Sequence, residues 1–111
     1  MLFRSVAELK DGEVTTFEVS PEDAGLPTTS LDELVGGDRD HNAAKLRGLL
    51  EGAPGPYRDI VVLGSAAALV VADKANDLKA GAALAAEAID SGAARKVLDG
   101  LVRLTNEEVP A

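Results

Sequence analysis

The run from Gly55 to Ala75, GPYRDIVVLGSAAALVVADKA, constrains this chain more than any other feature, because it is the only long apolar segment present. Any fold must place this stretch at its centre and pack the polar, punctuated flanks against it. Two local structures fit the pattern. In one, Ile60-Val61-Val62-Leu63 is a short buried strand and Gly64 turns the chain into an alanine helix. In the other, a single helix runs from Pro56 to about Asp73, apolar on nearly all sides. Pro56 suits a first helical position, and Gly64 is the only loop-type residue in the run, costing only about 1 kcal/mol inside a helix. The single helix is the expectation. With Arg58, Asp59, Asp73 and Lys74 at its ends, the segment is too short to span a bilayer.

The flanks carry strong local signals. Asp11-Gly12 lies between the β-prone runs Val6–Lys10 and Glu13–Val19, which predicts a hairpin closed by a type I′ turn. A two-residue loop pairs Leu9 with Val14 and Val6 with Phe17. Ala7, Leu9 and Val14 then share one face, while Val6, Phe17 and Val19 share the other. An isolated hairpin hides one face at most, so apolar side chains on both faces imply a strand pair belonging to a larger sheet.

Downstream, Ser20-Pro21-Glu22-Asp23 opens a helical turn that Gly25 stops almost at once. Ser30-Leu31-Asp32-Glu33 forms a capping box and begins a short helix ending at Gly36-Gly37. Asp38 or Asp40 caps a helix to about Glu51, with Ala43, Leu46 and Leu50 as its inward stripe. Gly52 ends it, and Ala53-Pro54-Gly55-Pro56 makes a rigid turn. Asn76 or Asp77 caps a helix from Leu78 to Ser91. A last helix spans about Ala94 to Leu104, with Val97, Leu98, Leu101 and Val102 facing inward, before a polar tail over 105–111. The chain alone is thus expected to be α+β, an N-terminal β-hairpin followed by four to five α-helices in one unit over 1–111.

Composition narrows the function classes. Apolar residues make up 46% but aromatics only 3%, and alanine buries little area per residue, so the core should be thin. The absence of cysteine excludes disulfides and thiolate metal sites and fits a reducing compartment. A net charge of −8 with scattered basic residues argues against a nucleic-acid partner. No stretch of the N-terminus is apolar enough for a signal peptide, so neither membrane nor export is expected and the cytoplasm is the default.

No residue rises to a catalytic, substrate-binding or metal-binding assignment. His41, the only histidine, has no His or Cys companion to complete a metal site and sits where side chains face water. Gly36-Gly37-Asp38 resembles a phosphate-binding turn, but no basic residue follows within the turn; a helix-terminating glycine followed by an N-cap is the simpler reading. Leu63-Gly64-Ser65 lacks the second glycine and the base of a nucleophile elbow. The acid pairs Glu22/Asp23, Asp32/Glu33 and Glu107/Glu108 lie at helix starts or in the tail, where capping is their expected work.

Three ordered stretches resemble the C-terminal end of the anthranilate phosphoribosyltransferase family. The first is Val6-Ala7-Glu8-Leu9 with its Asp-Gly turn, followed by Pro21-Glu22-Asp23-Ala24-Gly25-Leu26-Pro27. The second is Gly36-Gly37-Asp38 leading to Asn42-Ala43-Ala44 and then Gly55-Pro56-Tyr57-Arg58-Asp59-Ile60-Val61. The third is Ala66-Ala67-Ala68-Leu69, then Ala88-Ile89-Asp90-Ser91-Gly92-Ala93-Ala94. Gly64-Ser65 departs from the family's usual Asn-Ala, and acidic residues are more usual near His41. Met1–Ser5 do not resemble the family, which suggests an internal start or a truncated reading frame.

The resemblance implies an α/β parent with a small helical domain, of which this chain is the C-terminal portion of the larger domain. It implies transfer of the phosphoribosyl group of PRPP to anthranilate, a step of tryptophan biosynthesis, with Mg²⁺ as cofactor. It implies a homodimeric parent, assembled through the small helical domain. The family's glycine-rich PRPP loop, anthranilate contacts and acidic Mg²⁺ pair all lie upstream of the hairpin, so catalytic, substrate-binding and metal residues within this chain are none. Two alternatives stand beside this reading: a free-standing helical interaction module, and a piece of a sibling phosphoribosyltransferase or nucleoside phosphorylase with another acceptor.

Overall fold

A computed structural model describes residues 4–28 and 31–107, the side chains of Arg4, Leu31 and Glu33 excepted. Strands β1 (Arg4–Lys10) and β2 (Glu13–Val19) pair antiparallel, with Leu9 opposite Val14 and Val6 opposite Phe17. The strand begins two residues before the expected Val6. Asp11 (φ 52°) and Gly12 (φ 80°) supply the two positive φ angles that a type I′ turn demands. Both faces lie largely in solvent: Leu9 is 72% exposed and Val14 67% on one, and Phe17 44% on the other. Among the described residues the sheet has these two strands only, so both of its edges are open.

A 3₁₀ turn over Pro21–Ala24 follows, ended by Gly25 in the left-handed region (φ 76°), and a second covers Leu31–Leu34. Ser30, the cap expected for the latter, lies outside the described residues. Helix α1 (Arg39–Leu50) is capped by Asp38, whose carboxylate accepts the His41 N–H at 2.8 Å. Helix α2 (Pro56–Val71) is continuous through Ile60–Leu63, which settles the strand-or-helix ambiguity for the helix. Asp77 caps α3 (Leu78–Asp90) by accepting the Ala80 N–H at 2.8 Å. Gly92 (φ 85°) turns the chain into α4 (Ala93–Thr105).

The core is where α2 crosses α3. Val62 and Ala66 of α2 meet Ala82, Ala85 and Ile89 of α3, with Leu49 from α1 and Ala24 from the first 3₁₀ turn closing the ends. Small side chains let the two helices approach closely. A Cβ on Gly81 would stand 2.7 Å from the Ala66 carbonyl oxygen and 2.9 Å from its Cα, so only glycine fits there. Arg58, at the start of α2, holds the far end of α3 by donating two hydrogen bonds to the Asp90 carboxylate, at 2.8 and 3.0 Å.

Two expectations about burial need correcting. On α1 the buried residue is Leu49, not the Ala43–Leu46–Leu50 stripe; Ala43 is exposed and Leu46 and Leu50 are half-buried. Leu46 packs against the edge of the core and Leu49 enters it, while the residues one turn earlier, Ala43 among them, stay exposed and have nothing to pack on. On α4, Val97 is 74% exposed, Leu101 57% and Val102 51%, and only Leu98 is half-buried. The apolar stripe exists at the predicted positions, but none of the described elements covers it.

Candidate functional site

Of the sequence feature closest to a binding motif, Gly36-Gly37-Asp38, only Gly36 lines a cavity of about 410 Å³ between α1 and the start of α2. His41, Asn42, Lys45, Tyr57 and Arg58 contribute to its lining. The loop is shaped by α1. Asn42, one turn into the helix, reaches back so that its side-chain amide pairs with the Gly37 backbone. The Gly37 N–H donates to Asn42 Oδ1 at 2.9 Å, and Asn42 Nδ2 donates to the Gly37 carbonyl at 3.0 Å. The His41 ring lies against the same glycine, so a Cβ on Gly37 would come within 2.8 Å of His41 Cδ2. Glycine is required here by space rather than by φ.

This geometry fits the helix-entry reading of the turn. An anion cradle needs backbone N–H groups free to point at the ligand. Here the Gly37 N–H is held by Asn42, and the His41 N–H is held by Asp38. Arg58, the most enclosed cation of the lining, donates from both terminal guanidinium nitrogens to Asp90, and those hydrogen bonds hold the Asp90 carboxyl below its usual range. The loop is a helix entry clamped by Asn42 and Asp38.

The other candidates fall out of any common site. Ser65 is half-buried on α2, far in sequence from the single histidine. Asp23 accepts the Ser20 N–H at 2.9 Å, a cap for the 3₁₀ turn. Asp32 is exposed, and the side chain of its neighbour Glu33 lies outside the described residues. Glu107 pairs with Arg103 at 2.9 Å, while Glu108 also lies outside them. Among the described residues no group of three His, Cys, Asp or Glu side chains is placed to hold a metal ion. No described helix is long and apolar enough to cross a membrane.

Sequence reasoning missed two constellations. The Asn42 clamp has a readable signal, an amide five residues beyond the second glycine. The Arg58–Asp90 pair, 32 positions apart, has none.

The hairpin and the helical layer behind it can be compared with other proteins. The chain belongs to the glycosyl transferase family: residues 3–95 match the family's a/b domain. Within that family its relatives are anthranilate phosphoribosyltransferases. That of Parvibaculum lavamentivorans is 60% identical over 102 residues, 92% of this chain and 30% of the relative. That of Rhodopseudomonas palustris strain TIE-1 is 58% identical over 101 residues, 91% and 30% respectively. The crystal structure of the Thermus thermophilus enzyme superposes with a TM-score of 0.80 at 35% identity, covering 93% of this chain and 31% of that one. The chain thus spans about three-tenths of the length of the relatives it matches.

Proposed function

We propose that this chain is the C-terminal part of an anthranilate phosphoribosyltransferase, contributing framework rather than reacting groups. The observation that carries the reading is the match along more than nine-tenths of the chain to relatives bearing that one name. In the whole protein the phosphoribosyl group of PRPP is transferred to anthranilate, in the cytoplasm, with Mg²⁺ and both substrates held by residues beyond this chain. The parent assembles as a homodimer away from the surface described here, and neither nucleic acid nor membrane is a partner.

The framework role follows from what the site lacks. Transition-state stabilisation at a departing or attacking group needs preorganised donors aimed at developing charge. The loop donors at Gly37 and His41 are already satisfied internally. The helices instead back a sheet of which the hairpin is one end. The test is a turnover assay on the isolated 111 residues with PRPP, anthranilate and Mg²⁺. No product above background is expected; measurable turnover sinks the reading.

A further inference from the structure

The cavity between α1 and the start of α2 runs against the charge of the chain. Acidic residues outnumber basic ones 19 to 11, yet none of the residues lining this cavity is Asp or Glu. Acids around it are engaged elsewhere. Asp38 accepts the His41 N–H, Asp90 accepts from Arg58, and Glu51 pairs with Arg95 at 3.5 Å. Lys45 is the one lining Lys or Arg without an ion-pair partner among the described residues. The walls suit an apolar body. His41, Ala44, Lys45 and Gly48 recur at i, i+3, i+4 and i+7 and share one face of α1. Gly48 leaves room above that face, since a Cβ there would meet only the Ala53 methyl, at 3.9 Å. Leu34, Val35 and Pro54-Gly55-Pro56 add aliphatic surface, and Val35 is 72% exposed. The frame is also fixed in advance. Gly55 stands between two prolines at φ 132°, ψ −178°, a conformation that glycine alone adopts readily.

We propose that this cavity binds a small aliphatic monocarboxylate, with its charge on Lys45 and its chain against Leu34, Val35 and the two prolines. The volume of about 410 Å³ falls within the ~300–1,000 Å³ of small-molecule sites. One uncommitted cation matches one negative charge, and a lysine ammonium is a compact point charge rather than a two-pronged fork. A polyphosphate is poorly served here, because the Gly37 and His41 N–H groups are taken and Arg58 is paired with Asp90. A metal cation is served worse, because no carboxylate faces the cavity. Apart from His41 and Tyr57 the apolar lining is aliphatic, which favours an aliphatic chain over a stacked ring.

The test titrates the full 111-residue chain, labelled with ¹⁵N, with hexanoate and with hexanamide as its neutral isostere. Amide shifts centred on Gly36, His41, Lys45, Gly48 and Tyr57 should saturate with a Kd of about 1–20 mM, the scale for so small a ligand. Hexanamide should bind about fivefold or more weakly. Lys45→Gln should remove that preference, and Lys45→Arg should keep it. Gly48→Leu should fill the cavity and abolish the saturable shifts, with circular dichroism unchanged because its Cβ meets open space. Lys79→Gln, on α3 and outside the lining, should change the Kd by less than about twofold. Equal affinity for hexanoate and hexanamide overturns the proposal, as does hexanoate binding that both Gly48→Leu and Lys45→Gln leave unchanged. Shifts confined to the exposed apolar residues of α4 and the hairpin, with none saturating around Lys45, overturn it as well. Should Gly48→Leu fail to fold, the surface variant Lys45→Gln still decides, because charge preference at the cavity is its readout.

Discussion

Glycines separate the interior of this molecule from its surface. At Gly81 an added methyl meets the α2 backbone at 2.7–2.9 Å, and backbone cannot swing aside as a side chain does. Gly81→Ala should gain about 1 kcal/mol of helix propensity and lose more to overpacking, for a net destabilisation of about 1–2 kcal/mol in urea unfolding. Gly64 is the contrasting case. It also lies within a helix, at ordinary φ, but nothing stands within 4 Å of its would-be Cβ. Gly64→Ala should stabilise the free chain by about 0.5–1 kcal/mol. The same substitution on two adjacent helices is thus expected to give opposite signs. Equal signs would show that α2 and α3 do not meet at Ala66.

The elements were legible where the signal is local. Asp11-Gly12 gives the turn and the register, Pro56 gives the start of α2, and Asp77 gives the cap of α3, because each acts on backbone within a few residues. Asp77→Ala should therefore cost about 1 kcal/mol, read as a lower unfolding midpoint. Periodicity failed at Leu49 and at α4 because it reports which face seeks cover, not whether cover is present. The clamp between elements was invisible for a related reason: Arg58 and Asp90 meet only after α2 and α3 pack. Their pairing depresses the Asp90 carboxyl, so its contribution is present above the ordinary carboxylate range near pH ~4 and is lost as pH falls through the lower folded value. Asp90→Asn should lower the thermal midpoint near neutral pH, with the gap to wild type closing in strong acid. A gap independent of pH would mean that the ion pair does not hold α3.

At the scale of the whole molecule, the architecture is a thin core carrying more surface than it can dry. Among the described residues seven hydrophobic side chains are buried, four of them alanines, and only Ala66 reaches zero exposure. The Cα radius of gyration is 16.2 Å, against about 13 Å for a compact domain of this length. Both departures have one origin, since the hairpin and α4 extend from the α2–α3 layer without being packed by it. Local stability should follow the same division. Amides of Val62, Ala66, Ala85 and Ile89, enclosed by the helix crossing, should exchange slowest with solvent. Those of β1, β2 and α4 should exchange near the rates set by their own fraying. Hydrogen exchange with residue resolution on the free chain tests this directly, alongside small-angle scattering and binding of a hydrophobic dye. A radius near the 16.2 Å of the extended arrangement, dye binding and a steep protection gradient are expected together. Uniform protection with a radius of about 13 Å and no dye binding would mean that α4 and the hairpin fold back onto the core. In that case the uncovered stripe would have its partner within this chain.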